Sequence, residues 1–442
     1  MAMLDSTVVN IALRDIGRAF HVGVATLQWV VTGYLLTLAA FLLIGGALGD
    51  RFGRRRVFSI GVAWFALASA ACGLAPSPGI LVAARVAQGV GGALLTPASL
   101  ALLQSSFVEK DRSRAVGAWA GLTGVASAAG PLLGGYLIAA GSWRWVFFIN
   151  LPVAVAVLAV SARHVPESRD TLESGPLDVL GAVVAVVGLA TLTYGLIEGP
   201  SRGWTGPVVL VCLVVAALAV PTFLSTERRA ENPMLPLALF SRRQFCAVNG
   251  VTFVMYGALT GAMFLLPTQL QVVSGYSPLK AGLALLPVTV IGLAGSTGSA
   301  RLAARIGPRL QMSVGPVVAG CGLLLLMRVT TGDYLTQVLP AVVLFGAGMT
   351  TVVPPLTATA LSAAPSEQTG IASAVNNVVA RTAGLLAVAI LPVVAGLTGG
   401  AALRPHEFAS GFKTAVAIAG TICIVAGLLA AGSISDARAR DV

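Results

Sequence analysis

Few side chains in this sequence could do chemistry away from water, and they stand far apart along the chain. Asp5 lies in LDSTVVNIAL (residues 4–13), Arg85 in LVAARVAQGVGGA (residues 81–93), and Arg381 shortly after the pair Asn376 and Asn377. Their neighbours are mostly apolar. An unpaired arginine in such a stretch costs about 3 kcal/mol on insertion scales, so Arg85 must face a cavity or a carboxylate, or else snorkel to the nearest interface. Gln88 and Gly92, three and seven residues on, share its helical face, and Gly89 leaves room for a neighbouring backbone. Asp5 is the acid well inside an apolar stretch of the first half, whereas Asp178 and Glu198 stand at the ends of theirs. Burial favours its protonated form and a nearby Arg85 favours the carboxylate. Two conformations that differ in their separation would therefore bind and release a proton. The plainer alternative is a polar residue near the chain start.

Other reactive groups are missing or misplaced. His21, His164 and His406 fall in breaks between apolar stretches, which argues against an intramembrane histidine relay or metal site. Cys72, Cys212, Cys246, Cys321 and Cys423 are scattered singly, without metal-ligand or redox spacing, and read as packing residues. No paired catalytic groups, cofactor loop or cleavable signal peptide is visible, so neither an enzyme nor a cofactor protein is expected.

The elements that must position Asp5 and Arg85 follow from composition. With 56% hydrophobic and 10% charged residues over 442, and mean hydropathy +0.89, the chain cannot cover its apolar surface in water. Apolar windows recur near 2–17, 26–48, 57–75, 79–103, 115–139, 145–163, 178–197, 206–224, 245–270, 279–299, 310–330, 335–362, 371–397 and 411–433. Most can cross a hydrocarbon core of about 30 Å, and in lipid each must satisfy its own backbone hydrogen bonds. The expected fold is an all-α membrane protein with fourteen transmembrane helices. A net charge of +11 does not point to nucleic acid, because Lys and Arg are spread over the breaks. The breaks after spans 2, 4, 6, 8 and 10, with Arg163 and the C-terminal DARAR, hold 18 of the 28 basic residues. The positive-inside rule then puts both termini in the cytoplasm.

An internal echo divides the chain. GALGDRFGRRR (46–56) returns as ARLAARIGPR (300–309), aligning Gly49 with Ala303, Arg51 with Arg305 and Gly53 with Gly307, while Asp50 meets Ala304. Two six-helix pseudo-symmetric halves are expected, residues 1–163 and 245–433, separated by two inserted helices at 178–224 and a cytoplasmic linker at 225–244. In the fifth span Gly117, Gly121, Gly124, Ala128, Pro131 and Gly135 step by three and four along one face, a stripe that lets a facing helix approach closely, and Gly130 with Pro131 adds a kink. Asp50 closes the second span beside Arg51, Arg54, Arg55 and Arg56, a carboxylate suited to pair with cations.

Three of these stretches, GALGDRFGRRR, LVAARVAQGVGGA and GVASAAGPLLGG (124–135), resemble the signature motifs of the major facilitator superfamily. With LDSTVVNIAL, WVVTGYLL (29–36), WRWVFFINLP (143–152) and LQVVSGYSPLKAGLALLP (270–287), the chain resembles the fourteen-helix drug:proton antiporters from end to end. That resemblance implies that Arg85 tunes a proton-binding carboxylate, for which Asp5 is the candidate. It implies that Gly49, Asp50, Arg51, Gly53, Arg54 and Arg55 form a latch between the halves, with Asp50 against the helix start near Thr369. It implies that Gly124, Gly130, Pro131, Gly134 and Gly135 form an antiporter interface that excludes ion leak, although ordinary close packing explains the stripe equally. Tyr34, Gln88, Asn150, Tyr256, Gln269, Asn376, Asn377 and Arg381 are candidates for a substrate cavity or for structural contacts, as is Gln271.

The expectation is a monomeric proton-coupled antiporter in the cytoplasmic membrane that exports small amphiphilic organic molecules by alternating access. Its partners are the substrate, protons and the lipid bilayer. A proton-coupled importer on the same fold and a non-transporting membrane sensor are the rivals. Relatives with the LDSTVVNIAL motif carry roughly half a span before it, so a misassigned start or a truncated first helix is also expected.

Overall fold

The computed structural model describes residues 1–169, 178–230, 233, 235–330, 333–364, 368–398 and 404–436, and regular structure among them is helical throughout. The first unit contains α1 (Ala2–Phe20), α2 (Val24–Phe52), α3 (Arg54–Leu74), α4 (Pro78–Ser106), α5 (Glu109–Ala140), α6 (Trp145–His164), α7 (Val179–Arg202) and α8 (Pro207–Arg229). The second contains α9 (Arg243–Val272), α10 (Pro278–Ile306), α11 (Pro308–Arg328), α12 (Tyr334–Ser362), α13 (Thr369–Val394) and α14 (Pro405–Ser433). Twelve of these rods are long and apolar enough to cross a membrane. The others are α1, which carries Asp5, Arg14, Asp15 and Arg18, and α5, whose apolar part is confined to Val125–Ala140. A polytopic membrane protein follows, with the fourteen helices that the apolar windows predict.

The two compact units are Met1–Met234 and Leu235–Val442. Inside the first, α2 and α3 pack on α4, α1 packs on α5, and α3 lines α6. Helices α7 and α8 pair with each other and attach to this unit through α2. There Trp29 Nε1 donates to Glu198 Oε1 at 3.0 Å, and the Trp29 ring tilts against Tyr194 with centroids 6.2 Å apart. Inside the second unit α11 packs on α12 and α14, α10 on α12, and α9 on α13 and α14. The turn at Leu237–Ser241 belongs to this unit, because Leu239 is buried with Phe245, Ala363, Ala372 and Val375.

Two local features set up the site. Helix α6 breaks at Ile149 into Trp145–Phe148 and Asn150–His164. Pro152 lacks the N–H that would bond the Phe148 carbonyl and its ring crowds that turn, so the helix restarts at Asn150. The crossing of α2 and α4 is tight: Thr37 Oγ1 donates to the Val86 carbonyl at 2.8 Å, and a Cβ on Gly89 would collide with Thr37 Oγ1 and the Tyr34 carbonyl. Arg85 sits one turn before that contact and is thereby held against α2.

Gly89→Val should therefore force α2 and α4 apart and cost about 1–3 kcal/mol or more. Gly79→Val, where a Cβ meets nothing within 4 Å, should not. Thermal unfolding of the two purified variants checks this, and equal midpoints would contradict it.

Candidate functional site

Asp5 and Arg85, eighty residues apart in sequence, form an ion pair with Arg85 Nη1 at 2.5 Å from Asp5 Oδ2, and their side chains are 0% and 1% exposed. Burial at that level excludes a snorkelling arginine. The guanidinium is fixed by three further contacts: Nε donates to the Val30 carbonyl at 2.9 Å, Nη1 donates to Gln88 Oε1 at 2.7 Å, and its carbon lies 4.4 Å from the Tyr34 ring centroid. The carboxylate is equally well served. Its Oδ1 accepts from Gln88 Nε2 at 2.8 Å and from Asn150 Nδ2 at 3.0 Å. Asn150 Nδ2 also donates to Ser69 Oγ at 3.1 Å, and Ser69 Oγ in turn donates to the Phe147 carbonyl at 2.8 Å. Cys72 Sγ reaches Gln88 Oε1 at 3.6 Å.

Five helices meet here. Asp5 comes from α1, whose buried face continues through Val8, Val9, Ile11 and Ala12. Arg85 and Gln88 come from α4, Tyr34 from α2, Ser69 and Cys72 from α3, and Asn150 from the restart of α6. The carboxyl of Asp5 thus meets three donors, one of them the guanidinium of Arg85, and in a low dielectric such a network polarises and strengthens its own hydrogen bonds. Tyr34, Gln88 and Asn150, expected as possible cavity residues, are all buried within this cluster. Ser69 and Cys72 had no signal in the sequence, because a serine and a cysteine are ordinary packing residues in apolar helices.

In the arginine break between α2 and α3, Glu167 joins the residues that the sequence singles out. Asp50 pairs within its own turn, to Arg54 at 2.8 Å, and its side chain is 42% exposed. The arginine backbones are capped by Glu167, from the segment after α6: Oε1 accepts from Arg55 N at 2.9 Å and Oε2 from Arg56 N at 3.2 Å. Arg55 Nη1 also donates to the Val165 carbonyl at 3.0 Å. Gly53, at φ 107°, makes the turn that Gly307, at φ 88°, makes before α11, where Asp436 Oδ1 accepts from Arg309 N at 3.0 Å. In both units an acid from beyond the unit's last six-helix-core span caps the third, a repeat of geometry that the 46–56 and 300–309 echo announces only through its glycines.

Along α5, a Cβ at Gly130 would strike Thr7 Oγ1 and one at Gly134 would lie 3.1 Å from the Val8 carbonyl, so α1 rests on this end of the small-residue face. The surroundings of Gly117, Gly121, Gly124 and Ala128, and the side chain of Thr369, lie outside the described residues. In α13, Asn376 Nδ2 donates to Asn249 Oδ1 at 3.1 Å and Thr252 Oγ1 at 2.8 Å, all three buried. Asn377 is exposed and donates to its own Ser373 carbonyl at 3.1 Å. Arg381 and Tyr256 interact electrostatically. Gln269 is buried and ties α9 to the Val329 carbonyl at 2.9 Å, and Gln271 is buried beside it in sequence.

Residues 1–388 match the family model of the Major Facilitator Superfamily. The chain belongs to that superfamily. It is 38% identical over 402 residues to the methylenomycin A resistance protein of Bacillus subtilis (strain 168), covering 90% of this chain and 85% of that one. It is 37% identical over 434 residues to the puromycin resistance protein pur8 of Streptomyces alboniger, covering 96% and 84%. Among solved structures, an inward-facing, unoccupied bacterial homolog of the human lysosomal transporter Spinster matches with TM-score 0.69 at 17% identity, over 98% of this chain and 94% of that one. A peptide transporter matches with TM-score 0.70 at 14% identity, over 97% and 90%. These two share the superfamily fold. The superfamily match spans both the Asp5 cluster and the arginine break.

Removing one member of a buried ion pair strands the other, at about 3–5 kcal/mol, whereas removing both does not. Arg85→Met and Asp5→Asn should each lower the thermal midpoint of the purified protein, and the double variant should lie above the sum of their losses. Strict additivity would contradict the pairing.

Proposed function

We propose that this protein is a proton-coupled antiporter that exports small amphiphilic organic molecules across the cytoplasmic membrane, as a monomer with both termini in the cytoplasm. The observation that carries the reading is the Asp5–Arg85 pair, sealed from solvent and wired to α2, α3, α4 and α6. Asp5 carries the exchanged proton, and Arg85 holds its carboxylate ionised until the helices part. Each proton crossing 100 mV releases about 2.3 kcal/mol, enough to sustain a roughly 40-fold substrate gradient. Relatives named for resistance to methylenomycin A and to puromycin support outward transport of small organic antibiotics. Few charges lie in the spans, which suits a neutral or monocationic substrate. Alternating access moves the two six-helix halves, 1–163 and 245–433, around a midplane site, with 178–224 inserted between them. Asp50 and the arginines of its break latch one of the two states.

In cells lacking their own efflux pumps, wild-type protein should lower the accumulation of a panel of antibiotics and lipophilic dyes and raise resistance to them. Asp5→Asn, matched for folded protein, should lose uphill efflux while retaining downhill exchange. Higher accumulation with the wild type would mean import, and unimpaired uphill efflux by Asp5→Asn would place the coupling acid elsewhere.

A further inference from the structure

The hydrogen bonds around Asp5 suit one protonation state. Oδ1 takes two amide N–H groups and Oδ2 takes the guanidinium, so each neighbour bonded to the carboxyl is a donor. A protonated carboxyl has an O–H that needs an acceptor; of the two amides on Oδ1, Gln88 has its oxygen held by Arg85 Nη1, which leaves the amide of Asn150. Asn150 is fully buried, its Nδ2 is shared between Asp5 and Ser69, and its Oδ1 has no hydrogen-bond partner among the described residues. Reversing an amide exchanges its oxygen and nitrogen with almost no change of shape. The site without a partner would hold Oδ1 in one orientation and Nδ2 in the other, so neither is strongly preferred by its own surroundings and the choice falls to Asp5.

We propose that Asn150 is the positioning residue that reads the proton on Asp5: its side-chain amide reverses when Asp5 is protonated, so that Oδ1 accepts from the carboxylic O–H. The proton comes from water, forms one O–H bond at Asp5 Oδ1 and returns to water on release; no other covalent bond changes. Ser69 then faces Asn150 Oδ1 instead of Nδ2, and its hydroxyl turns from the Phe147 carbonyl to the amide oxygen. That exchange breaks a contact between α3 and the short segment Trp145–Phe148, immediately before the break at Ile149. Protonation is thus transmitted from α1 to the hinge of α6. The titratable and charged groups around Asp5 are Arg85 from α4, Cys72 from α3, Tyr34 from α2 through Arg85, and the Met1 amine on α1 itself. None of them supplies the missing acceptor while Arg85 is bound to the carboxylate.

The inference rests on Asp5 as the coupling acid, and the test separates the two. Infrared difference spectra against pH are recorded on the full chain in lipid nanodiscs, with asparagine labelled at its side-chain carbonyl carbon. A carboxylic band lost in Asp5→Asn should titrate, and a labelled amide band should shift at the same midpoint. Asn150→Gln keeps an amide but carries no label, so it should lose the amide band and keep the carboxylic one. Titration of the carboxylic band with no accompanying asparagine band would overturn the role of Asn150 alone, as would survival of that band in Asn150→Gln. Absence of a titrating Asp5 band would overturn both readings.

Discussion

A carboxyl and a guanidinium closed off from water inside a helical membrane unit are tolerated only if they pair closely and further hydrogen bonds support the pair. Taking each charge out of water costs several kcal/mol, and their mutual attraction offsets this only with good geometry and extra hydrogen bonds. Asp5 and Arg85 satisfy that condition through Gln88, Asn150 and the Val30 carbonyl. The positions of five helices follow from it. Displacing α1 or α4 would leave a bare charge in a low dielectric.

The backbone is shaped to serve this constraint. Gly89 brings α4 against α2 closely enough for Arg85 to reach Val30 and Tyr34, and Pro152 restarts α6 so that Asn150 points its amide into the cluster. Glu167 and Asp436 finish the third helix of each unit by capping its first backbone N–H groups, where the helix dipole and the open donors both favour a carboxylate. The same physics, a charge held by oriented backbone and side-chain dipoles, operates in the interior and at the helix ends.

The fourteen helices were legible because apolar length in a lipid-dwelling chain admits few alternatives, and the pairing of Asp5 with Arg85 because each is so costly alone. The parts of the cluster that carry no charge were harder to place. Tyr34, Gln88 and Asn150 have many possible uses in a membrane helix, and only their burial around one carboxylate separates them from a cavity wall. Ser69 and Cys72 carry no periodic or compositional mark at all. Glu167 lay in HVPESRD, where a basic break masks the one acid that matters, since capping is decided by tertiary approach and not by local sequence. Asp50 pairs with Arg54, one of the arginines beside it in sequence, while the backbone N–H groups of Arg55 and Arg56 go to Glu167.

The central claim is the proposal that Asp5 carries the exchanged proton, so that substrate binding displaces it. It is tested most directly by following pH in weakly buffered detergent solution when a monocationic fluorescent dye that the protein exports is added to the purified protein. The account predicts proton release by the wild type, absent from Asp5→Asn although the dye still binds. Equal proton release from the two proteins would contradict it.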